Sequence, residues 1–199
     1  MSLNTIATNR QLRKFSDGEQ VWLFGYGSLI FKTGFDFIER RAGSIDGWTR
    51  RFWQGSHDHR GSPQHPGRVV TLVRDPHATC YGMAYLIAHE VFEQLDLREK
   101  NGYLRVDAEI RFESGDGAPG LVYIADPDNA AFLGPASDAE IARQVATAAG
   151  PSGQNRDYVL ALADALRQMQ RPDAHVSAIE NELLTLSTIG ESSQRLIHP

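Results

Sequence analysis

The sequence predicts an α+β fold in which a small mixed or closed β-sheet carries packed helices and ends in a helical C-terminal part. Three observations predict it. Between residues 20 and 125, short runs rich in aromatic and β-branched residues are separated by glycine, proline and aspartate, the composition of strands and their turns. A single helical pattern interrupts them, and after residue 136 the apolar spacing becomes that of helices. Because strands and helices do not alternate, a doubly wound parallel sheet is excluded.

Residues 1–19 are polar and irregular and read as a flexible N-terminal arm ahead of one domain spanning residues 20–199. The expected strands are QVWLF, WTRRFWQGS, RVVTLVR, CYGMAYLI, YLRVDAEIRF and LVYIA. Within HEVFEQLDLREK, the spacing of Val91, Phe92 and Leu95 predicts a helix ending close to Glu99. Ser137 with Glu140 forms a capping box ahead of EIARQVATAAG, and Ser177 with Glu180 predicts another ahead of IENELLTLSTIG. Between them, Tyr158, Leu162, Leu166 and Met169 form an apolar stripe, and GPSG at 150–153 reads as a helix stop with Gly150 at C′.

Bulk properties narrow the function. A formal net charge of −5 argues against a nucleic-acid binder held by phosphate contacts. The single cysteine, Cys80, cannot bridge within the chain and reads as a packing residue, and a reducing cytoplasm is the expected compartment. No apolar run is long enough for a membrane span or an export signal, so no membrane partner is expected. His57, His59 and His65 cluster with Asp58, but HDH, which sets alternate side chains on one face if extended, lacks a third ligand at convincing spacing, and Pro63 and Pro66 mark an irregular loop. No metal site and no cofactor are expected.

Two stretches carry chemistry. In FGYGSL, at 24–29, glycines follow a strand at once. Such a turn exposes backbone N–H groups that receive an anion or an oxyanion, and the plain alternative is a tight turn between strands. Ile30 stands where a GxGxxG motif needs glycine, no Walker motif is present, and Ser28 is not in GxSxG. In LDLREKNGY, at 95–103, Glu99 stands at a helix end, where the macrodipole and burial beside Tyr103 are expected to disfavour its anion. A carboxylate tuned that way is a proton acceptor near neutral pH, and the plain alternative is a solvated ion pair with Arg98 or Lys100.

Taken together, FGYGSLIF, RRFWQGSHDHRGSPQHPGRVVTL, GMAYLI, LREKNGY, VYIADPDNAAFLG and AAGPSGQNRDYVLALADAL resemble the ChaC-type γ-glutamylcyclotransferases, the glutathione-specific branch of that group, from about residue 20 to residue 168. Phe31 stands where the family usually has tryptophan and Asn101 where glycine is common. The resemblance implies a γ-glutamylcyclotransferase-like barrel and glutathione as the small-molecule partner. It implies that Tyr26, Gly27, Ser28 and Leu29, with Gly25 opening the turn, cradle the γ-glutamyl group while Glu99 acts as acid and base. It also sets Tyr103 and Tyr123 near the pocket.

The implied reaction closes glutathione's γ-glutamyl group into 5-oxoproline and releases cysteinylglycine. The turn is expected to hold either the oxyanion or the α-carboxylate. Among Arg50, Arg51, Arg60 and Arg68, Arg51 is the choice for the glycine carboxylate. The alternatives are the same chemistry on another γ-glutamyl amine and a catalytically silent anion-binding module.

Overall fold

The computed structural model describes residues 4–195, with side chains through residue 188. The elements in chain order are α1 (Ile6–Leu12), β1 (Gln20–Gly25), a single 3-10 turn (Ser28–Ile30), β2 (Glu39–Ser56), β3 (Gly67–Ala88), α2 (Val91–Arg98), β4 (Tyr103–Phe112) and β5 (Gly117–Ala125). They continue with α3 (Asp138–Thr147), β6 (Ala149–Gly150), β7 (Gly153–Gln154), α4 (Asn155–Gln168) and α5 (Ala174–Arg195). Two strands are far longer than their apolar runs. β2 begins nine residues before Trp48, with buried Gly43 and Ile45 alternating with less buried neighbours, and β3 runs unbroken through the exposed Pro76. Proline is tolerated there because an exposed stretch does not need its N–H.

The chain forms two compact units. The first comprises the chain up to Gln54 together with Val70–Phe132. Its strands close in the order β1-β3-β2-β4-β5. β1 runs antiparallel to β3, with Gly25 opposite Met83, and parallel to β5, with Phe24 opposite Val122. β4 and β5 form an antiparallel ladder that starts with Tyr103 opposite Ala125. Closure removes open edges, and Leu23, Phe24, Ile45, Phe52, Leu72, Tyr85, Ile87, Ile110 and Leu121 are fully buried on one face or the other of its strands.

Where the sequence reads as an irregular arm, residues 6–12 form α1. It docks through polar groups. Asn9 is fully buried, donating from Nδ2 to the Tyr103 carbonyl at 3.1 Å and accepting the Arg105 N–H on Oδ1 at 2.9 Å. The Thr5 N–H and hydroxyl both donate to the Lys100 carbonyl. A helix held by an asparagine leaves no apolar stripe to read.

The second unit comprises Gly55–Val69 and the chain from Leu133 onward. α3 starts at the expected capping box of Ser137 and Glu140. Tyr158, Leu162 and Leu166 of α4 are buried with Val176, Ile179 and Leu183 of α5. The second capping box does not form. α5 begins four residues earlier, at Ala174, and Asp173 Oδ1 accepts the N–H groups of His175 and Val176. Ser177 therefore lies inside the helix, and Glu180 is free to accept a 2.6 Å bond from Arg167 of α4. GPSG also departs from a C′ glycine: α3 ends at an extended Ala148, and β6 and β7 form a small hairpin in which Gly153 takes φ +100°. Gly150 is there for proximity, since a Cβ on it would lie 2.5 Å from the His59 carbonyl oxygen. Among the described residues, no helix is long and apolar enough to cross a membrane.

Asn155 holds β3 from the start of α4: it accepts the Arg68 N–H at 2.6 Å and donates to the Arg68 carbonyl at 2.8 Å, fully buried. Asn155→Ala leaves both backbone groups buried and unpaired, and is expected to destabilise the protein by about 2–4 kcal/mol in denaturant unfolding. A variant within about 0.5 kcal/mol of wild type contradicts that role.

Candidate active site

The turn after β1 has every carbonyl occupied. The Tyr26 carbonyl accepts Arg50 Nε at 2.6 Å, that of Gly27 the Ile30 N–H at 3.0 Å, that of Ser28 the Lys32 N–H at 2.8 Å, and that of Leu29 the Tyr85 hydroxyl at 2.7 Å. Arg50 is 2% exposed, and its other end donates to the Tyr81 carbonyl at 2.6 Å. Among the described residues, the N–H groups of Gly27, Ser28 and Leu29 donate to no protein group. The turn thus offers donors and no acceptors, the polarity that suits an anionic oxygen. Gly25 has no room for a side chain, because a Cβ would lie 2.6 Å from the Leu29 Cβ.

Glu99 is the C-cap of α2, its N–H bonded to the Leu95 carbonyl at 2.8 Å, and its side chain is 17% exposed. Arg98 joins it to the turn. The guanidinium donates to Ser28 Oγ at 2.9 Å and to the carbonyls of Thr33 and Lys32 at 2.5 and 3.0 Å, and its Nε lies 3.2 Å from Glu99 Oε1. One side chain therefore contacts both segments that the sequence singles out. The segment after Glu99 is fixed as well: Gln54, fully buried, donates to the Asn101 carbonyl at 2.9 Å and pairs with Asn129. The left-handed backbone falls at Gly102, φ +88°, and not at Asn101, so asparagine is accommodated at that position without strain.

Tyr123 binds at both ends. Its carbonyl accepts the Tyr26 hydroxyl at 2.8 Å, and its own hydroxyl donates to Asp96 Oδ1 at 2.6 Å. Burial first, then the Asp96 bond and the charges of Asp96 and Glu99, push the Tyr123 phenol far above its ordinary value. Asp96 is 2% exposed and lies 3.5 Å from Arg105 Nε. Burial raises its carboxyl above the usual range, against the opposing pull of Tyr123 and Arg105. The Arg105 guanidinium lies 5.2 Å from the Phe15 and Phe92 ring centroids and donates to the Asn9 carbonyl.

Tyr103 and Arg51 stand differently. The Tyr103 hydroxyl donates to the Val70 carbonyl at 2.8 Å, joining β4 to β3, which are not neighbours in the sheet. Arg51 follows the buried Arg50 along β2, so its side chain leaves by the opposite face, and it donates to Thr49 Oγ1 and the Arg50 carbonyl, both at 2.7 Å. The residue that reaches the turn is Arg50. In the second unit, His59 Nδ1 lies 3.1 Å from Ser152 Oγ, and Arg60 donates to the Gln154 carbonyl. Among the described residues, no group of three histidine, cysteine or acidic side chains is placed to hold a metal ion. Sequence reasoning missed Asp96, Arg98 and Arg105 as site components, because charged residues in a charged run read as solvated; the signal was the i, i+3 spacing of Asp96 and Glu99.

These features define an α+β barrel protein with a donor-only turn at the end of β1 and a carboxylate tied to it from a helix end. The chain belongs to the ChaC-like protein family, whose model matches residues 21–186. It is 43% identical over 175 residues to γ-glutamylcyclotransferase 2-3 of Arabidopsis thaliana, covering 82% of this chain and 88% of that one. It is 37% identical to the human glutathione-specific γ-glutamylcyclotransferase 1, over 87% of this chain and 83% of that one. A crystal structure of a yeast γ-glutamyl cyclotransferase specific to glutathione superposes with a TM-score of 0.75 at 32% identity, covering 84% of this chain and 99% of that one.

Gly25→Ala is expected to push Leu29 and the turn aside at a cost of about 1–3 kcal/mol of stability, read by denaturant unfolding; unchanged stability contradicts the close approach. Asp96 also sets a pH dependence. Its folded value lies above its unfolded one, so the native state binds more protons between the two values, and this group's contribution to stability falls as pH rises through that window. Measured against Asp96→Asn, wild type is expected to lose relative stability as pH rises from about 4; parallel stability curves argue against it.

Proposed function

We propose that this protein is an enzyme that cyclises the γ-glutamyl group of glutathione, releasing 5-oxoproline and cysteinylglycine, with Glu99 as the acid and base. The observation that carries the reading is the Arg98 guanidinium, which contacts Ser28 of the turn and the Glu99 carboxylate at once. Kinship with proteins named as glutathione-specific γ-glutamylcyclotransferases supports the substrate. We place the activity in the cytoplasm, where a chain with one cysteine meets a reduced thiol substrate.

The chemistry needs no nucleophile from the protein. The substrate's α-nitrogen attacks its own γ-carbonyl carbon, a C–N bond forms to close a five-membered ring, and the C–N bond to the cysteinyl residue breaks. Two protons leave the α-ammonium and two reach the departing nitrogen, so one carboxylate beside both nitrogens carries them in turn, and no water is consumed. Glu99 performs that transfer. The N–H groups of Gly27, Ser28 and Leu29 receive negative charge on the γ-glutamyl group, and losing one such donor to a developing oxyanion typically costs about 2.7–4 kcal/mol. The braced turn and α2 keep the flexible glutamyl chain folded for attack, the entropic part of the barrier.

The test is a product assay on glutathione and, separately, on γ-glutamyl-alanine, with wild type and Glu99→Gln. Wild type is expected to form 5-oxoproline and cysteinylglycine from glutathione, and folded Glu99→Gln to lose that by about a hundredfold or more. Preference for γ-glutamyl-alanine replaces the substrate assignment, turnover of neither favours an anion-binding role, and a fully active Glu99→Gln removes Glu99 as the base.

A further inference from the structure

We propose that Asp96 is a positioning residue for this reaction: through Tyr123 it fixes the end of α2 that carries Glu99 against the turn, an inference that rests on the cyclotransferase reading above. Asp96 and Glu99 are three residues apart, at neighbouring places on α2 and its cap. A helix of eight residues has little stability of its own, so its anchors determine where its end lies. Phe92 and Leu95 anchor it by burial. Arg98 braces it to the turn on one side, by the 2.9 Å bond to Ser28 Oγ.

Asp96 supplies a second, independent brace. Its Oδ1 receives the Tyr123 hydroxyl at 2.6 Å, and the Tyr123 carbonyl in turn receives the Tyr26 hydroxyl at 2.8 Å. The path Asp96, Tyr123, Tyr26 therefore runs from α2 across β5 to the first residue after β1, within the turn. Arg105 extends it outward: paired with Asp96 at 3.5 Å, it is held by both the side chain and the carbonyl of Asn9, so α1 belongs to the same scaffold.

A carboxylate so deeply buried is a poor device for stability alone, because a well-packed apolar side chain fills such a place at no desolvation cost. What it does that an apolar side chain does not is hold a phenol and a guanidinium in one fixed arrangement. Fixed placement matters most to a proton carrier, since a displacement of about 1 Å costs catalysis about a hundredfold.

The test measures kcat and KM separately on glutathione, with thermal unfolding, for the full-length wild type, Tyr123→Phe, Asp96→Asn and the double variant. Each single change is expected to lower kcat about tenfold or more with KM within about twofold, and the double to fall no further than the worse single, because both break one brace. Tyr123→Phe leaves the Asp96 and Arg105 pair in place and decides the matter if Asp96→Asn does not fold. A folded Tyr123→Phe with wild-type kcat, losses confined to KM, or losses that multiply in the double each overturn the proposal. If Glu99→Gln abolishes turnover while Tyr123→Phe does not, the enzymatic reading stands and this one falls; a wild type inactive on glutathione removes both.

Discussion

The parallel pairing of β1 with β5 is the constraint on which the rest of the first unit depends. It closes the barrel, and it places the end of β1 beside the middle of β5, with Phe24 opposite Val122. Tyr26 then reaches the Tyr123 carbonyl, and the turn that follows is tied to the strand that also binds Asp96. An open sheet leaves β1 as an edge, and the turn loses this support.

Closure alone does not set the polarity of the turn. Arg50, Tyr85 and the local 3-10 geometry take up the carbonyl oxygens of residues 26–29, which leaves N–H groups as the turn's remaining polarity. Burying the Arg50 guanidinium is favourable only because both of its ends meet backbone oxygen. The turn and α2 are then held by charged and phenolic side chains in addition to the burial of Leu29, Ile30, Phe92 and Leu95. Such bonds are directional, so they specify position where apolar contacts specify mainly proximity.

The charges near Glu99 belong to two systems. Arg98 lies between Glu99 and the turn, partly exposed, while Asp96 and Arg105 are almost entirely buried behind Tyr123. That division follows from helical geometry: positions 96 and 98 point in different directions, so a run of charges in sequence separates into an outer and an inner set. The inner set reaches Asn9, which explains why a polar N-terminal segment is ordered.

By itself the sequence determined the class of fold, the main strands and the helix ending near Glu99, and it singled out the two segments that Arg98 joins. Apolar alternation, glycine placement and caps are local properties that a single chain displays. The long polar half of β2, the continuity of β3 through Pro76 and the helix at residues 6–12 were decided by tertiary structure, since their stabilising partners lie far away in sequence. The same holds for the cap of α5, where Asp173 displaces Ser177 and frees Glu180 for Arg167. At the site, sequence singled out Glu99 and the turn but not what joins them. Whether Arg50 or Arg51 faces inward, and whether Asp96 is solvated or buried, depends on strand register and helix docking. These are set by the closed barrel, not by the residues' own chemistry.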